Sequence, residues 1–418
     1  MHKIKLGFLL TLLLLAPASL LAQNSTNSPY ARYGYGKLAD QSFGAQRAMG
    51  GIGIGLRNGQ MINALNPASF SSVDSMTFMF DLGVTGHAAW YDDGTNKSNK
   101  INGNIDYMAM QFPLAKRLGM GIGLAPMSYK GYKYGDVRSL SVESEMAQET
   151  LTGSGGLSKV YGTLSYSFFD RLALGVKVGY LFGDLNDTKT VTYNTTTHSS
   201  IQWADTLRVS AWTIEAGLQY HQPIGKNKEL VIGVVYSPRM EISEAVRKGE
   251  HVYSSPSRSE HSVSRDSIFE LPQTIGVGLS FSKKNHYTVG ADFQLQQWGD
   301  ARFYNKTDSL SDNMRISLGG EYIPDYQAHS FFKRIRYRAG AYYSDSYINV
   351  GGNQYKEYGA TLGFGLPIND RRSFLNLAFD FTMIKPDVSS IGMIDEKYFK
   401  ITLSYTFNEL WFFKRKIY

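Results

Sequence analysis

The residues best suited to catalysis are scattered along this sequence. Its eight histidines lie at positions 2, 87, 198, 221, 251, 261, 286 and 329, and none belongs to the H-E-x-x-H pair of a zinc enzyme. The G-x-S-x-G motif of a serine nucleophile does not occur either. Cysteine is absent, which excludes thiolate metal sites and disulfides. We therefore expect a protein that is not an enzyme and that carries no metal or cofactor.

A glycine-rich run, Gly50, Gly51, Gly53, Gly55 and Gly59, could in principle cradle a phosphate. No Lys-Ser or Lys-Thr pair follows it and no βαβ pattern surrounds it, so nucleotide binding is poorly supported. Close packing of this backbone against a surrounding wall explains the glycines better. The same stretch, Met49–Asp74, ends in Asn66-Pro67-Ala68, which predicts a turn because asparagine bonds to nearby backbone and proline presets φ.

The chain begins with a predicted export signal. Lys3 and Lys5 precede the apolar run Leu6–Leu15, which is too short to span a bilayer but suits a signal peptide. Leu20-Leu21-Ala22 before Gln23 is a candidate cleavage site. Residues 1–22 are therefore left out of the fold prediction.

Composition then narrows the class of protein. The chain has 28 Tyr, 23 Phe and 42 Gly, and after residue 22 no apolar run approaches the length of a membrane-spanning helix. An exported chain of this composition is typical of a transmembrane β-barrel. The formal charge is +7, but the basic residues are dispersed among aromatics, so nucleic acid is not an expected partner.

The hydrophobic pattern from Ser75 onward has a period of two. Apolar residues at 399, 401, 403, 405 and 407, for example, alternate with Lys400, Thr402, Ser404 and Thr406. One face of each strand is thus apolar and the other polar. There is too little helix to form a second layer over so many strands. A barrel with an apolar outside and a polar lumen needs no such layer, because lipid covers the apolar face of its strands.

We predict an all-β outer-membrane barrel of about fourteen antiparallel strands, with twelve or sixteen as alternatives. The strands fall near 75–90, 103–114, 117–134, 156–168, 171–188, 205–222, 228–245, 268–283, 286–300, 312–325, 333–346, 355–367, 371–385 and 396–408. Short and long connections alternate, and an even count places both termini at the short-turn, periplasmic end. The predicted domains are a signal peptide (1–22), a plug in the lumen (23–74) and the barrel (75–418).

The predicted short-turn rim is basic. Its cations are Lys116, Arg117, Lys226, Lys228, Lys283, Lys284, Lys333, Arg334, Arg371, Arg372 and Lys414-Arg415-Lys416. They could contact anionic phospholipid of the outer membrane, or they could simply keep the turns solvated. Aromatic residues near strand ends, Tyr134, Trp203, Trp298, Tyr347 and Trp411, suit the aromatic girdles of such a barrel.

Several ordered motifs resemble the FadL-type outer-membrane family, which carries long-chain fatty acids and other hydrophobic compounds. They are Asn66-Pro67-Ala68 in the plug, the third strand LGMGIGLAPMSYKGYKY from Leu118, Leu271-Pro272-Gln273 opening a later strand, and Tyr287–Asp292 followed by Trp298. The resemblance spans roughly residues 40–410. Met127 and Ser128 depart from it, because family members usually have an aromatic residue and a glycine after this proline.

The resemblance implies roles for particular residues. Asn66, Pro67 and Ala68 would form a gating plug motif. Gly119, Gly121, Gly123 and Pro126 would form a kink through which an apolar solute leaves sideways, although they could instead only set the curvature of the barrel. A fatty-acid carboxylate would need a cation. The available cations are Lys177, Arg334, Arg336 and Arg338, which could equally belong to ion pairs of the lumen.

Two functions follow as hypotheses. The first is passive uptake of hydrophobic small molecules, which predicts a largely apolar cavity beside Asn66–Ala68. The second is a non-transporting barrel that serves as a subunit of an outer-membrane complex for protein secretion or barrel assembly. It predicts an occluded lumen, an intact third-strand ladder and surfaces for other outer-membrane proteins.

Overall fold

A computed structural model describes residues 26–139, 146–194, 199–254, 257–308, 310–368, 372–386 and 394–410. The predicted export signal, Arg371 and the basic tail from Trp411 lie outside the described residues. Among the described helices, none is both long enough and apolar enough to cross a membrane.

The chain folds into a closed barrel of fourteen antiparallel strands, which confirms the predicted fold class and strand number. Strand β14 pairs with β1 from Thr77 opposite Leu410 to Asp92 opposite Asp395, and this pairing closes the barrel. The strands are β1 Thr77–Asp92, β2 Lys97–Ala115, β3 Leu118–Tyr129 and Tyr132–Ser139, β4 Met146–Phe168, β5 Leu172–Tyr193, β6 Ile201–Pro223, β7 Lys228–Ser237 and Glu244–Ser254, β8 Ser257–Ser264 and Gln273–Lys283, β9 Tyr287–Gln297, β10 Asn313–Tyr322, β11 Arg336–Asp345, β12 Tyr355–Pro367, β13 Phe374–Pro386 and β14 Asp395–Leu410.

Burial alternates along the strands as the period-two pattern predicts. On β5, Leu174, Val176 and Val178 are 42–45% exposed. Ala173, just before Leu174, and Lys177, between the two valines, are buried. The exposed side chains form the outer face and the buried ones face the lumen. This apolar-out, polar-in arrangement is what a barrel surrounded by lipid requires.

The wall is taller on one side than on the other. Strands β4, β5 and β6 have 23, 22 and 23 residues, whereas β9, β10 and β11 have 11, 10 and 10. The extra residues lie at the end of the barrel that carries the long connections. We call this the long-loop end and the opposite one the short-turn end.

The remaining elements are short. They are a 3₁₀ helix Pro29–Arg32, a strand Lys37–Leu38, helix α1 Gly44–Arg47, a 3₁₀ helix Pro67–Ser72, a strand Met240–Glu241 paired with Glu270–Leu271, and helix α2 Phe331–Arg334. Helix α2 corrects one predicted boundary. The strand expected from 333 begins at Arg336, so Arg334 does not share a strand face with Arg336 and Arg338.

Residues 26–74, which we call the N-terminal segment, run through the lumen. Their backbone is bonded to side chains from strands on all sides of the barrel. Gln111 of β2 donates to the Phe70 carbonyl, Gln219 of β6 donates to the Ile54 carbonyl, and Asp292 of β9 accepts from the Gly53 amide. Thr361 of β12 accepts from the Gly50 amide. A segment held from so many directions must lie near the axis of the barrel.

Candidate functional site

The predicted turn at Asn66 is buried against the wall. Asn66 is 0% exposed, and its Oδ1 accepts a hydrogen bond from the Ala68 amide at 3.0 Å. Its Nδ2 donates to the carbonyl of Ile54 at 2.8 Å and to that of Leu218, on β6, at 3.2 Å. Asparagine before proline is favoured at the start of a helical turn, because its oxygen caps a free amide and proline needs no donor. One side chain thus shapes the turn and ties it to the wall.

Glycines in the wall make room for this turn. A Cβ placed on Gly217 would lie 2.2 Å from Asn66 Oδ1, and one on Gly175 would lie 2.3 Å from the carbonyl carbon of Pro67. Any side chain at either position would therefore collide with the turn. The fit depends on two wall residues of β5 and β6 that have no side chain.

Two glycines of the third strand also make room for the N-terminal segment. A Cβ on Gly119 would lie 2.0 Å from the Phe70 carbonyl oxygen, and one on Gly121 would lie 2.0 Å from the Phe70 ring. A Cβ on Gly123 would instead collide with the Tyr161 hydroxyl at 2.4 Å. Gly119 and Gly121 leave room for another part of the chain, and that part is the N-terminal segment.

Pro126 lies where the second and third strands separate. Strand β2 pairs with β3 only from Met108 opposite Leu124 to Ala115 opposite Leu118, and the register of β3 against β4 shifts between Pro126 and Ser128. Farther along, the described part of β2 pairs with β1 and not with β3. The third-strand ladder is thus incomplete on its β2 side, which contradicts the intact ladder that the subunit hypothesis predicts.

The N-terminal segment covers the side of β3 that β2 leaves. Lys37 and Leu38 pair with Tyr129 and Ser128 as a two-residue antiparallel strand. The Ala39 amide donates to the Met127 carbonyl at 2.9 Å, and Gln41 Nε2 donates to the Pro126 carbonyl at 2.9 Å. Ser128 Oγ donates to the Tyr35 carbonyl at 2.7 Å. We call this set, residues 35–41 against 126–129, the β3 contact.

Three of the four candidate cations have carboxylate partners. Lys177 Nζ lies 2.6 Å from Glu215 Oε1 and donates to the Ala64 carbonyl at 2.8 Å. Arg336 and Arg338 both contact Glu321, at 3.3 and 2.8 Å. These pairs match the ion-pair interpretation of the lumen charges.

Arg334, the fourth cation, lies apart from them on α2 at the short-turn end. Its guanidinium is 5.9 Å from the centre of the Phe331 ring. The structure therefore does not bring the four cations together.

Sequence reasoning missed part of the buried charge network. Arg47 of α1 contacts Asp106 of β2, and both groups are largely buried. Asp292 accepts hydrogen bonds from the amides of Gly53 at 2.6 Å and Ile54 at 2.7 Å, and so holds the glycine-rich run. The sequence gives no signal for its partners in the N-terminal segment.

The described lumen contains at least two cavities. One of about 150 Å³ combines the charged groups of Asp292, Arg315 and Lys400 with apolar side chains such as Ile54 and Leu65. The other, of about 60 Å³, borders Ala64 and Leu65 next to the Asn66 turn. Binding pockets for drug-sized ligands are typically about 300–1,000 Å³.

The lining of the smaller cavity is mixed. It combines Phe43, Ala125 and Tyr161 with the charged groups of Lys159, Lys177 and Glu215. It therefore differs from the largely apolar cavity that the uptake hypothesis predicts at this place.

An aromatic cluster packs inside the barrel at the long-loop end. Trp298 lies with its ring centre 5.7 Å from that of Tyr35 and 4.8 Å from that of Tyr347. Trp298 and Tyr347 are 1% and 2% exposed. The prediction that these two residues belong to a lipid-facing girdle is therefore wrong, because they pack inward on the N-terminal segment.

A closed fourteen-strand barrel with an apolar outer face is an outer-membrane β-barrel, and its architecture is of the FadL type. The chain belongs to the BamG family, whose model matches residues 2–418. The FadL resemblance in the sequence is thus confirmed at the level of the fold, under a different family name. No curated protein matches the sequence.

Solved structures show the same fold at low identity. A Pseudomonas aeruginosa FadL homologue has a TM-score of 0.60 at 12% identity, with 89% of this chain and 99% of that chain covered. The Pseudomonas putida toluene transporter TodX gives 0.59 at 17%, covering 90% and 100%. The Ralstonia pickettii toluene transporter TbuX gives 0.57 at 14%, covering 87% and 97%.

Proposed function

We propose that this chain is a closed barrel that serves as a structural subunit of a larger outer-membrane assembly, one that secretes proteins or assembles barrels. The observation that carries this proposal is the filled lumen. The N-terminal segment acts as a plug that lies against side-chain-free wall positions at Gly175 and Gly217. Cavities of about 150 and 60 Å³, each with a mixed polar and apolar lining, lie beside it. A plug held in this way leaves little space for a hydrophobic solute to cross.

The proposal includes an orientation in the membrane. Thr77 and Leu410 pair at the short-turn end, which we assign to the periplasm as in other barrels with short periplasmic turns. The taller wall of β4, β5 and β6 then projects outward from the cell. Such a projecting sheet offers a surface to other outer-membrane proteins.

The incomplete pairing of β2 and β3 favours a second candidate, passive uptake of hydrophobic compounds such as long-chain fatty acids. Beyond Leu124 the described β2 does not pair with β3, and the β3 contact covers that side of β3. If the N-terminal segment moved there, an apolar solute could leave sideways into the bilayer near Pro126. Gating would then involve Asn66–Ala68, and a carboxylate would have to compete with Glu215 or Glu321 for Lys177, Arg336 or Arg338.

Mass spectrometry on protein purified from its own membrane in mild detergent separates the two candidates. We expect stoichiometric protein partners and no stoichiometric apolar small molecule. A bound fatty acid or hydrocarbon at one per chain, lost in Pro126→Ala and retained in the control Gly162→Ala, would reject the subunit role in favour of uptake. Gly162 is suitable as the control because a Cβ there meets no described atom within 4 Å.

A further inference from the structure

The distal part of β3 has a neighbouring strand on one side only. Tyr132–Ser139 pairs with Met146–Gly153 of β4, and within the described residues no strand pairs with its other side. Strand β2, which would continue the barrel there, pairs with β1 at this height. The wall therefore ends here in a strand edge.

The register of β3 shows which backbone groups lie at this edge. The Lys130 amide donates to the Gly155 carbonyl of β4 at 2.9 Å, and the register runs unchanged from Tyr129 opposite Gly156 to Ser139 opposite Met146. In an antiparallel pair, alternate residues bond to the same neighbour. The amides and carbonyls of Lys133, Gly135 and Val137 therefore point away from β4, and no described group bonds to them. We call these backbone groups the open edge.

Contacts on the inner side hold this strand in place. Tyr132 is 1% exposed and packs with Ala31 and Leu151, and its hydroxyl donates to Asp187 of β5. The Tyr134 hydroxyl accepts from Arg32 at 3.4 Å. The inward-facing residues are thus occupied by the fold, whereas the open edge is fixed in position without a partner. A binding group that is already ordered loses less conformational entropy on binding.

The open edge lies outside the hydrocarbon layer. On β4 the exposed apolar series runs from Val160 to Phe168, about nine residues, which is the length of a tilted strand in that layer. The segment that pairs with the distal part of β3, Met146–Gly153, lies beyond Val160 and farther from the short-turn end. Its outward positions include Thr150 and Thr152. The open edge therefore faces water and not lipid tails.

The strand lacks devices that commonly protect an edge from pairing. Natural edges are often interrupted by proline or by a bulge. Tyr132–Ser139 contains no proline and no register shift, and Val137 in it is 57% exposed. Nearer the short-turn end, the same side of β3 already accepts an added strand, because Lys37 and Leu38 pair there with Tyr129 and Ser128. Strand addition on this side of β3 is thus a contact that the fold itself uses.

We propose that the open edge binds an extended segment of a partner protein, which adds a strand to β3 outside the membrane. The inference rests on the proposed role as a subunit and specifies a contact that holds the partner. An extended chain presents amides and carbonyls at the spacing of a strand, whereas lipid and apolar solutes do not. The added strand also explains why a subunit has an incomplete ladder at β3.

Hydrogen exchange at single-residue resolution tests the alternation that strand addition requires. The protein is compared in native membrane fragments and as the isolated barrel. We expect the amides of Lys133, Gly135 and Val137 to exchange at least tenfold more slowly in the membrane fragments. The amides of Tyr132 and Tyr134, which face β4, serve as internal controls and should exchange equally in both samples. Equal rates at the three open-edge amides would overturn the proposal.

A proline at the open edge tests the backbone directly. Val137→Pro removes one open-edge donor, and proline is tolerated on an edge strand where the amide faces away from its neighbour. Val137→Thr keeps the amide and is the matched control. We expect the partner recovered in mild detergent to fall at least threefold in Val137→Pro and to be retained in Val137→Thr. Both variants should keep the wild-type temperature at which the folded barrel loses its shifted band on a denaturing gel.

The other outcomes of this experiment separate the proposals. A partner retained in Val137→Pro would reject strand addition at the open edge and leave the subunit role standing. A partner lost equally in both variants would show that the Val137 side chain, and not the backbone, makes the contact, and would also overturn strand addition. Wild-type protein without any stoichiometric protein partner would reject the subunit role and the open-edge contact together.

Crosslinking identifies what lies on the open edge. Photoreactive residues in place of Lys133 and Val137, whose side chains are exposed, are activated in the native membrane. We expect both to crosslink to one partner protein, at positions about four residues apart in a single segment, as paired strands require. Crosslinks to lipid alone, or to a second copy of this chain, would overturn the assignment to a different protein.

Discussion

The N-terminal segment contacts the barrel wall in two different ways. Around Asn66–Phe70 it lies against glycines of β3, β5 and β6, and a Cβ at Gly119, Gly175 or Gly217 would come within 2.3 Å of it. At the β3 contact it instead forms a two-residue ladder beside the point where β2 leaves β3. The first contact depends on wall positions without a side chain, whereas the second combines a short backbone ladder with side-chain hydrogen bonds from Gln41 and Ser128.

This difference teaches where the lumen is fixed and where it could open. Separating Asn66 from the wall exposes a buried amide that has partners in both the segment and β6. Separating Lys37 and Leu38 from β3 breaks only a few hydrogen bonds, each worth about 0.5–1.5 kcal/mol. We infer that the Asn66 turn stays in place while the β3 contact is the weaker of the two.

Replacing a wall glycine by a larger residue should cause the largest loss of stability at these two contacts. Gly217→Val places a side chain where Asn66 Oδ1 lies 2.2 Å from the new Cβ. We expect displacement of the turn and a loss of stability of about 1–3 kcal/mol or more. The measurement is the temperature at which the folded barrel loses its shifted band on a denaturing gel. Gly162→Val, which has open space around it, should keep the wild-type midpoint.

Removing the Asn66 side-chain amide from the same turn should cause a smaller loss of stability. Asn66→Ala leaves the buried Ala68 amide without its described partner and removes one of two donors to the Ile54 carbonyl, which keeps Gln219. Unsatisfied buried groups cost about 1–3 kcal/mol. The same gel assay should show a lowered midpoint for Asn66→Ala. Asn58→Ala, which loses only a local bond to the Gln60 amide, should show a shift of less than half that size.

Much of the fold was predictable because lipid imposes a simple rule on the sequence. A barrel strand must be apolar on every second residue, so the period of two revealed fourteen strands and their approximate bounds. The sequence also offered Lys177 as a charge of the lumen. It could not show that Lys177 pairs with Glu215 on the next strand, because facing inward does not specify a neighbour.

The failures of the prediction have similar physical causes. Trp298 and Tyr347 lie near strand ends, where a girdle is expected, but the N-terminal segment provides an apolar surface inside the barrel that competes for them. Arg334 fits the alternation of Arg336 and Arg338, yet helix α2 removes it from the strand. The glycines of β3 could be recognised as making room, but not that Phe70 fills the space.

The β3 contact, the second of the two contacts compared above, can be weakened by a single substitution. Ala39→Pro removes the amide that donates to the Met127 carbonyl at 2.9 Å. We expect the gel midpoint to fall by less than in Asn66→Ala, because the barrel strands keep their own ladders. Spin labels at Leu38→Cys and Ser128→Cys should report a broader distance distribution in the proline variant. A midpoint as low as that of Gly217→Val would show that the β3 contact is as fixed as the Asn66 turn.

The smallest expected effect concerns the loop that supports Tyr35 at the start of the β3 contact. The Tyr35 hydroxyl donates to the Glu270 carbonyl, and the Glu270 carboxylate lies 2.7 Å from Arg302. The hydrogen bond from Arg302 lowers the pKa of Glu270. A lowered pKa means that the pair stabilises the loop above the unfolded pKa of about 4.3 and that this contribution is lost as the pH falls through the folded value.

Since Arg302 is 38% exposed, solvent screens the ion pair and its contribution to stability at neutral pH should be small. Hydrogen exchange of the peptide 298–306 measures it when wild type and Glu270→Gln are compared at the same pH. The variant should exchange faster at pH 7, and the two proteins should converge once the pH falls below the lowered pKa of Glu270, because the wild-type carboxylate is then protonated too. The control Glu409→Gln, at the short-turn end, should match wild type at both pH values. Equal protection of wild type and Glu270→Gln at pH 7 would mean that the β3 contact holds Tyr35 without help from this ion pair.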